Sequence, residues 1–225
     1  MPEHSAVPPA PPPPAPSDVS ITRLISERVL DSELAALLWV LLDSALPLVV
    51  SGPPASRPVE LAAALDQLVA AGGRRNGHAD RQVWLLDEDS LEAVFRHFSA
   101  APLSLDPDQL RSLGLVLILR QAGGGKGRRL VAAHYIRPVE RDAAGHLQRR
   151  PPALLAAHDS AQDRLEHFSW ALTAELADRL SMGVAAFEAA YEQRSQLLTG
   201  LVGAGRLSSD DLRRAVGELS TSGPH

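Results

Sequence analysis

Arg57, Pro58 and Val59 end the stretch "SGPPASRPVE", which leads from a short apolar run into a helix in the layout of a phosphate-binding loop. Such a loop, Gly-x-x-x-x-Gly-Lys-[Ser/Thr], works through three groups. Its glycines let backbone N–H groups curl round the phosphates, its lysine meets the terminal phosphates, and its hydroxyl binds Mg²⁺. Here Gly52 supplies the first glycine, and Pro53, Pro54, Ala55 and Ser56 fill the variable positions. Arg57 then replaces a glycine whose conformation is often open only to glycine. Pro58 replaces the lysine and has no N–H, and Val59 cannot hold a metal. Arg57 still offers a positive charge at a helix N-terminus, where an anion is favoured. The stretch is therefore either a nucleotide site without its tools or an ordinary strand-to-helix turn. The plain turn is the commoner arrangement.

A second group is Asp87 and Glu88 in "VWLLDEDS", placed like the strand-end carboxylates that hold Mg²⁺ and activate water in nucleotide hydrolases. The same acids, followed by Ser90, also suit a simple helix N-terminus. "AGGGKGRR" is not a displaced phosphate loop, because Arg120 stands six residues before Lys126 where the first glycine belongs; a hairpin tip is expected. None of the eight histidines forms an HxxxH or HExxH pair, so no metal site is expected. There is no Gly-x-Ser-x-Gly elbow and no cysteine, which removes the usual nucleophiles. No catalytic residue is assigned.

The elements that would position these groups follow from periodicity. Ile21 to Leu41 carries apolar residues at helical spacing, with Asp31 and Ser32 offering a break and a new cap, so two helices are expected. Leu48 to Val50, a continuous apolar run, suits a central strand buried on both faces. A helix over Val59–Ala71 begins at Pro58 and stops at Gly72 and Gly73. After the polar loop "GGRRNGHADR", a strand over Val83–Leu86 and a helix over Ser90–Ser99 follow. "SLDPDQLRSLG" predicts a short capped helix, and "LGLVLILR" the clearest buried strand. "LVAAHYIRPVER", whose last part alternates, then "DAAG" and "HLQRRP" predict a small antiparallel meander. Helices are expected over Ala161–Trp170, Thr173–Arg179, Val184–Leu201 and Ser208–Leu219, with Phe168, Trp170, Phe187 and Tyr191 as core.

These pieces predict an α/β fold: a truncated, mainly parallel sheet with flanking helices, a small antiparallel β-hairpin and a helical C-terminal extension. The divisions are a disordered proline-rich tail over 1–19, an α/β domain over 20–158, a helical region over 159–219 and a disordered tail over 220–225. The 225 residues carry a net charge of −5 with scattered basic groups, which argues against nucleic acid. Leu34 to Val50 is interrupted by Asp43, Ser44 and Pro47, so no membrane span is expected. Glu3 and the prolines do not make a secretory leader, and the absence of cysteine suits a reducing cytoplasm.

The order of the pieces resembles the type II and type IV secretion and pilus-assembly ATPases, including the tight-adherence pilus ATPases. In that family an "LLxxLLxxxxP" helix leads into "hhhxGPxGSGKTT", which is similar to "LAALLWVLLDSALPLVVSGPPASRPVE" here. "LLDEDSLEAVFRHF" resembles the family's histidine box and its helix, with Asp89, Ser90 and Leu91 matching and Asp87 in the histidine's place. "LGLVLILR" and "RRLVAAHYIRPVER" are similar to the end of the ATPase core, so the resemblance covers residues 20–145. It implies a P-loop-like domain with a degenerate loop. Only about thirty residues separate the loop from the box-like segment, too few for the family's further acidic strands. Residues 83–89 are then the remnant of the histidine box, or else of the Walker B strand. Either way the catalytic set is incomplete.

The function expected is that of a non-catalytic accessory or assembly protein with protein partners, among them secretion or pilus machinery, and without a cofactor. The alternatives are a weak, atypical ATP-binding or ATP-hydrolysing protein that uses ATP and Mg²⁺, and an unrelated α/β interaction module. The family's rings are not carried over, and the oligomeric state is left unassigned.

Overall fold

A computed structural model describes residues 19–44, 46–72, 82–122, 127–141 and 145–221. The expected proline-rich tail up to residue 18, the polar loop 73–81, the glycine turn 123–126, the turn 142–144 and the final residues 222–225 lie outside the described residues.

The N-terminal helices are α1 (Ile21–Ser26) and α2 (Ser32–Leu42), separated as expected, with Asp31 as the N-cap of α2. Every residue of α2 from Leu34 to Leu42 is buried, the pattern of a helix enclosed on all sides. Strand β1 (Leu48–Ser51) follows, then a 3₁₀ turn over Pro54–Ser56 and α3 (Pro58–Ala71). Next come β2 (Val83–Leu86), α4 (Leu91–Ser99) and β3 (Leu115–Gln121). The short helix expected before β3 is a single 3₁₀ turn, Gln109–Ser112.

One six-stranded sheet runs through the molecule in the order β2-β1-β3-β4-β7-β8, where β4 is Arg128–Tyr135, β7 Ala153–Asp159 and β8 Arg164–His167. β1 lies inside the sheet, next to the edge strand β2, and pairs in parallel with β2 and β3, Val49 facing Trp84 on one side and Val116 on the other. All four residues of β1 are buried. Leu48 and Val50 enter the core beneath α1, α2 and α3, whereas Val49 packs with Trp84, Val94 and Phe98 on the opposite face. Alternate residues thus feed two apolar layers, which is why the run reads as continuously apolar. Each such side chain contributes roughly 1.5–3 kcal/mol on burial.

The expected mainly parallel sheet is corrected to a mixed one, since β3–β4, β4–β7 and β7–β8 are all antiparallel, while the expected small antiparallel hairpin is present as a sheet of its own. The long strand in "RRLVAAHYIRPVER" is its first part, β4, and of the last part, expected as a strand, only the final two residues are extended. A separate two-stranded sheet pairs β5 (Glu140–Arg141) with β6 (Leu147–Gln148). The helix expected over Ala161–Trp170 is instead β8 followed by a 3₁₀ turn at Ser169–Leu172, because Leu165 and Glu166 pair with His158 and Ala157 of β7. Trp170, expected in the core, is 77% exposed on that turn, and Phe168 is 38% exposed.

Helices α5 (Thr173–Arg179), α6 (Val184–Gly203) and α7 (Ser209–Thr221) close the chain, so Ser220 and Thr221 are helical where a tail was expected. Phe187 of α6 is buried, and Tyr191 packs against the main core. Arg194 fastens α6 to α2, reaching Asp43 at 2.5 Å and lying 4.8 Å from the centre of the Trp39 ring.

Candidate functional site

The turn after β1 is held from within. Gly52 has φ +153°, and a Cβ there would meet the Leu119 carbonyl oxygen at 2.5 Å and Ser56 Oγ at 2.7 Å. Glycine is therefore required by the close passage of β3, with no ligand needed to explain it. Gly52 N–H donates to Leu86 O at 3.0 Å, Ser56 N–H to Pro53 O at 2.7 Å and Arg57 N–H to Pro54 O at 3.0 Å. Buried Ser56 also turns its hydroxyl onto Pro53 O, 2.7 Å away. Pro53, Pro54 and Pro58 have no N–H at all. Among residues 52–59, at most the amides of Ala55 and Val59 remain to face an anion, so the loop cannot form the nest of donors that cradles phosphates.

Arg57 sits in the left-handed region, φ 52° and ψ 58°, as the N-cap of α3. It thus takes the backbone conformation for which the loop's glycine is suited, at the cost usual for a residue with Cβ. Its guanidinium reaches forward to Glu60 Oε1 at 3.3 Å. Glu60 Oε2 accepts from Arg128 Nη2 of β4 at 2.5 Å, so one carboxylate in the first turn of α3 answers two arginines. Val59 is 40% exposed and offers no ligand atom.

Asp87 and Glu88 follow β2 as expected, and Ser51 at the end of β1 clasps this segment. Its hydroxyl donates to Glu88 O at 2.6 Å and accepts from Glu88 N–H at 3.1 Å. The Glu88 carboxylate lies 3.3 Å from His97 Nδ1 of α4, and Asp87 is exposed. Ser90 is the N-cap of α4, accepting from Ala93 N–H at 3.3 Å, which is the plainer of the two roles anticipated for this segment. Among the described residues no group of three or more histidine, aspartate or glutamate side chains is placed to hold a metal ion.

A charged network missed in the sequence lies beside the turn. Arg128 and Arg129, successive residues of β4, are 8% and 6% exposed. Arg128 approaches Glu27 at 3.9 Å as well as Glu60. Arg129 forms a bidentate pair with Asp163, at 2.9 and 3.0 Å, and His158 Nε2 lies 3.1 Å from the same carboxylate. Arg129, then His158, hold the Asp163 carboxyl well below the usual range. The only sequence signal was two adjacent arginines opening an otherwise apolar strand.

No family model matches the chain, and no curated protein matches it.

Proposed function

We propose that the protein is a non-catalytic, secretion-ATPase-like accessory or assembly protein. In this reading it works in the cytoplasm through protein partners, among them secretion or pilus machinery, on a P-loop-like layout whose loop serves as a turn. The observation that carries the non-catalytic part is the amide inventory of residues 52–59: three prolines and three internally bonded N–H groups in the place of a phosphate cradle. Hydrolysis needs cradle, lysine, metal and base together, and keeping one of them does not recover the rest. The layout itself is supported by β1 lying between two parallel neighbours, with Gly52 immediately beyond its carboxyl end. No helix among the described residues is long and apolar enough to cross a membrane, which accords with this reading.

The deciding experiment is a steady-state assay of the purified chain with Mg²⁺ and ATP. Release of phosphate no faster than in buffer is expected. Saturable turnover, abolished by Asp87→Ala or Glu88→Ala, would show instead an atypical enzyme built on the strand-end carboxylates.

A further inference from the structure

A cavity of about 550 Å³ opens where β1 and β3 end, lined by Ala55 and Arg57 beyond β1, Gln121 and Ala122 at the end of β3, Arg128 of β4, and Glu27. From β1 the chain passes through α3 to β2 on one side, then through α4, packed on the opposite face, to β3 on the other side. Open α/β sheets hold ligands in the crevice outside the carboxyl ends of strands, where the strand order reverses in this way. The volume falls in the range of small-molecule sites, which favours a small ligand over a protein surface.

Two arginines, Arg57 and Arg128, and one carboxylate, Glu27, line the cavity. Arg57 and Arg128 share Glu60, Arg128 approaches Glu27, and Glu27 also pairs with Arg23 at 3.1 Å. The Glu27 carbonyl accepts from Arg129, which pairs with Asp163, and Arg28 approaches Asp163 at 3.7 Å. Among the described residues these pairs link five arginines to three carboxylates, and of these Arg57, Arg128 and Glu27 face the cavity. Within this network, Nη1 of buried Arg128 has no acceptor among the described residues and is shut off from water, so it meets a ligand only when the fork turns as Glu60 lets go. A desolvated guanidinium N–H is costly to leave unmet, and the guanidinium fork matches phosphate oxygens in pairs.

We propose that this crevice binds a phosphate-bearing small molecule as a free oxyanion, without metal, through Arg57 and Arg128, with Glu60 releasing a guanidinium as the ligand enters. The contacts come from side-chain forks and not from the amides of the 52–59 turn. The proposal therefore stands apart from any relationship to secretion ATPases.

Calorimetric titration of the full chain in EDTA with inorganic phosphate, pyrophosphate and ATP tests it. Saturable binding of at least one of them is expected. Arg57→Ala, at an exposed side chain, should leave the unliganded melting temperature unchanged and weaken binding roughly tenfold, as the loss of one charge-assisted hydrogen bond does. Arg128→Lys, which keeps the charge and loses the fork, should also weaken it, and Glu60→Gln should tighten it. Equal affinity for pyrophosphate and ATP would support a site for phosphates alone, whereas tighter ATP would support one that also takes the nucleoside. No saturable binding by wild type or Glu60→Gln up to about 10 mM, in the range of the weakest specific sites, would overturn the proposal. So would binding that requires Mg²⁺ or is indifferent to Arg57→Ala and Arg128→Lys. ATP turnover on adding Mg²⁺ would overturn the non-catalytic reading and leave the metal-free binding result standing.

Discussion

Asp31 serves two elements with its two carboxylate oxygens: Oδ1 accepts from Leu34 N–H at 2.9 Å and caps α2, while Oδ2 accepts from His167 Nε2 of β8 at 2.8 Å. Glu33 adds a second negative charge 3.6 Å from the same nitrogen. The edge strand is thereby tied to a helix far away in the chain.

This pair makes stability depend on pH. The hydrogen bond to Asp31 raises the His167 pKa above its ordinary value, and the charges of Asp31 and Glu33 act in the same direction against burial. The stabilisation is fully present below about pH 6.5, the unfolded value, and is lost as pH rises through the raised folded value. Denaturant titrations at pH 5.5 and pH 9 should show His167→Gln costing more at the lower pH. Asp31→Asn keeps a capping oxygen and should flatten that difference, whereas Asp31→Ala should cost roughly a further 1 kcal/mol for the lost cap.

Gly52→Ala should destabilise by roughly 2–3 kcal/mol, combining backbone strain with a Cβ placed against the Leu119 carbonyl. Arg57→Gly goes the other way locally, since Arg57 already occupies the left-handed region, and should be neutral or stabilising by up to about 1 kcal/mol. Urea midpoints for the two variants, taken side by side, check both signs.

Restoring the loop's lettering should not restore its chemistry. The triple variant Arg57→Gly, Pro58→Lys, Val59→Thr keeps Pro53 and Pro54 and the internal bonds of Gly52 and Ser56. Phosphate release from Mg²⁺-ATP is expected to stay at the buffer rate. Measurable turnover by this variant would mean that the turn's amides are free to rearrange.

Ser51→Ala removes both bonds to the Glu88 backbone from a fully buried hydroxyl. A cost of about 1–3 kcal/mol is expected, that of leaving buried polar groups unmet. Amide exchange at Glu88 should rise in parallel; a protected Glu88 amide in the variant would contradict this account.

The parallel half of the sheet was legible in the sequence because its signals are local. Continuous apolar runs mark β1 and β3, Pro58 opens α3, and Ser90 caps α4. The antiparallel half was not. "PPALLAAHDSAQDRLEHF" is rich in alanine, leucine and charged residues that favour helices, and it becomes β7 and β8 only because β4 lies alongside to pair with. The turn at Gly52 was visible as a motif. The network of Glu27, Glu60 and Arg128 joins three distant segments, and no spacing rule brings such residues together.

β3 has a parallel neighbour on one edge and an antiparallel one on the other. During synthesis β1 therefore emerges with no partner for its β3-facing edge until α3, β2 and α4 have all been made. At about 5–20 residues per second, that row of unpaired N–H and C=O groups on an apolar strand stays open for several seconds. A nascent chain stalled before Leu115 should be cut readily by protease at β1, and one stalled well beyond Tyr135 should resist. The order of manufacture, and not the finished sheet, sets when this chain is most exposed to aggregation.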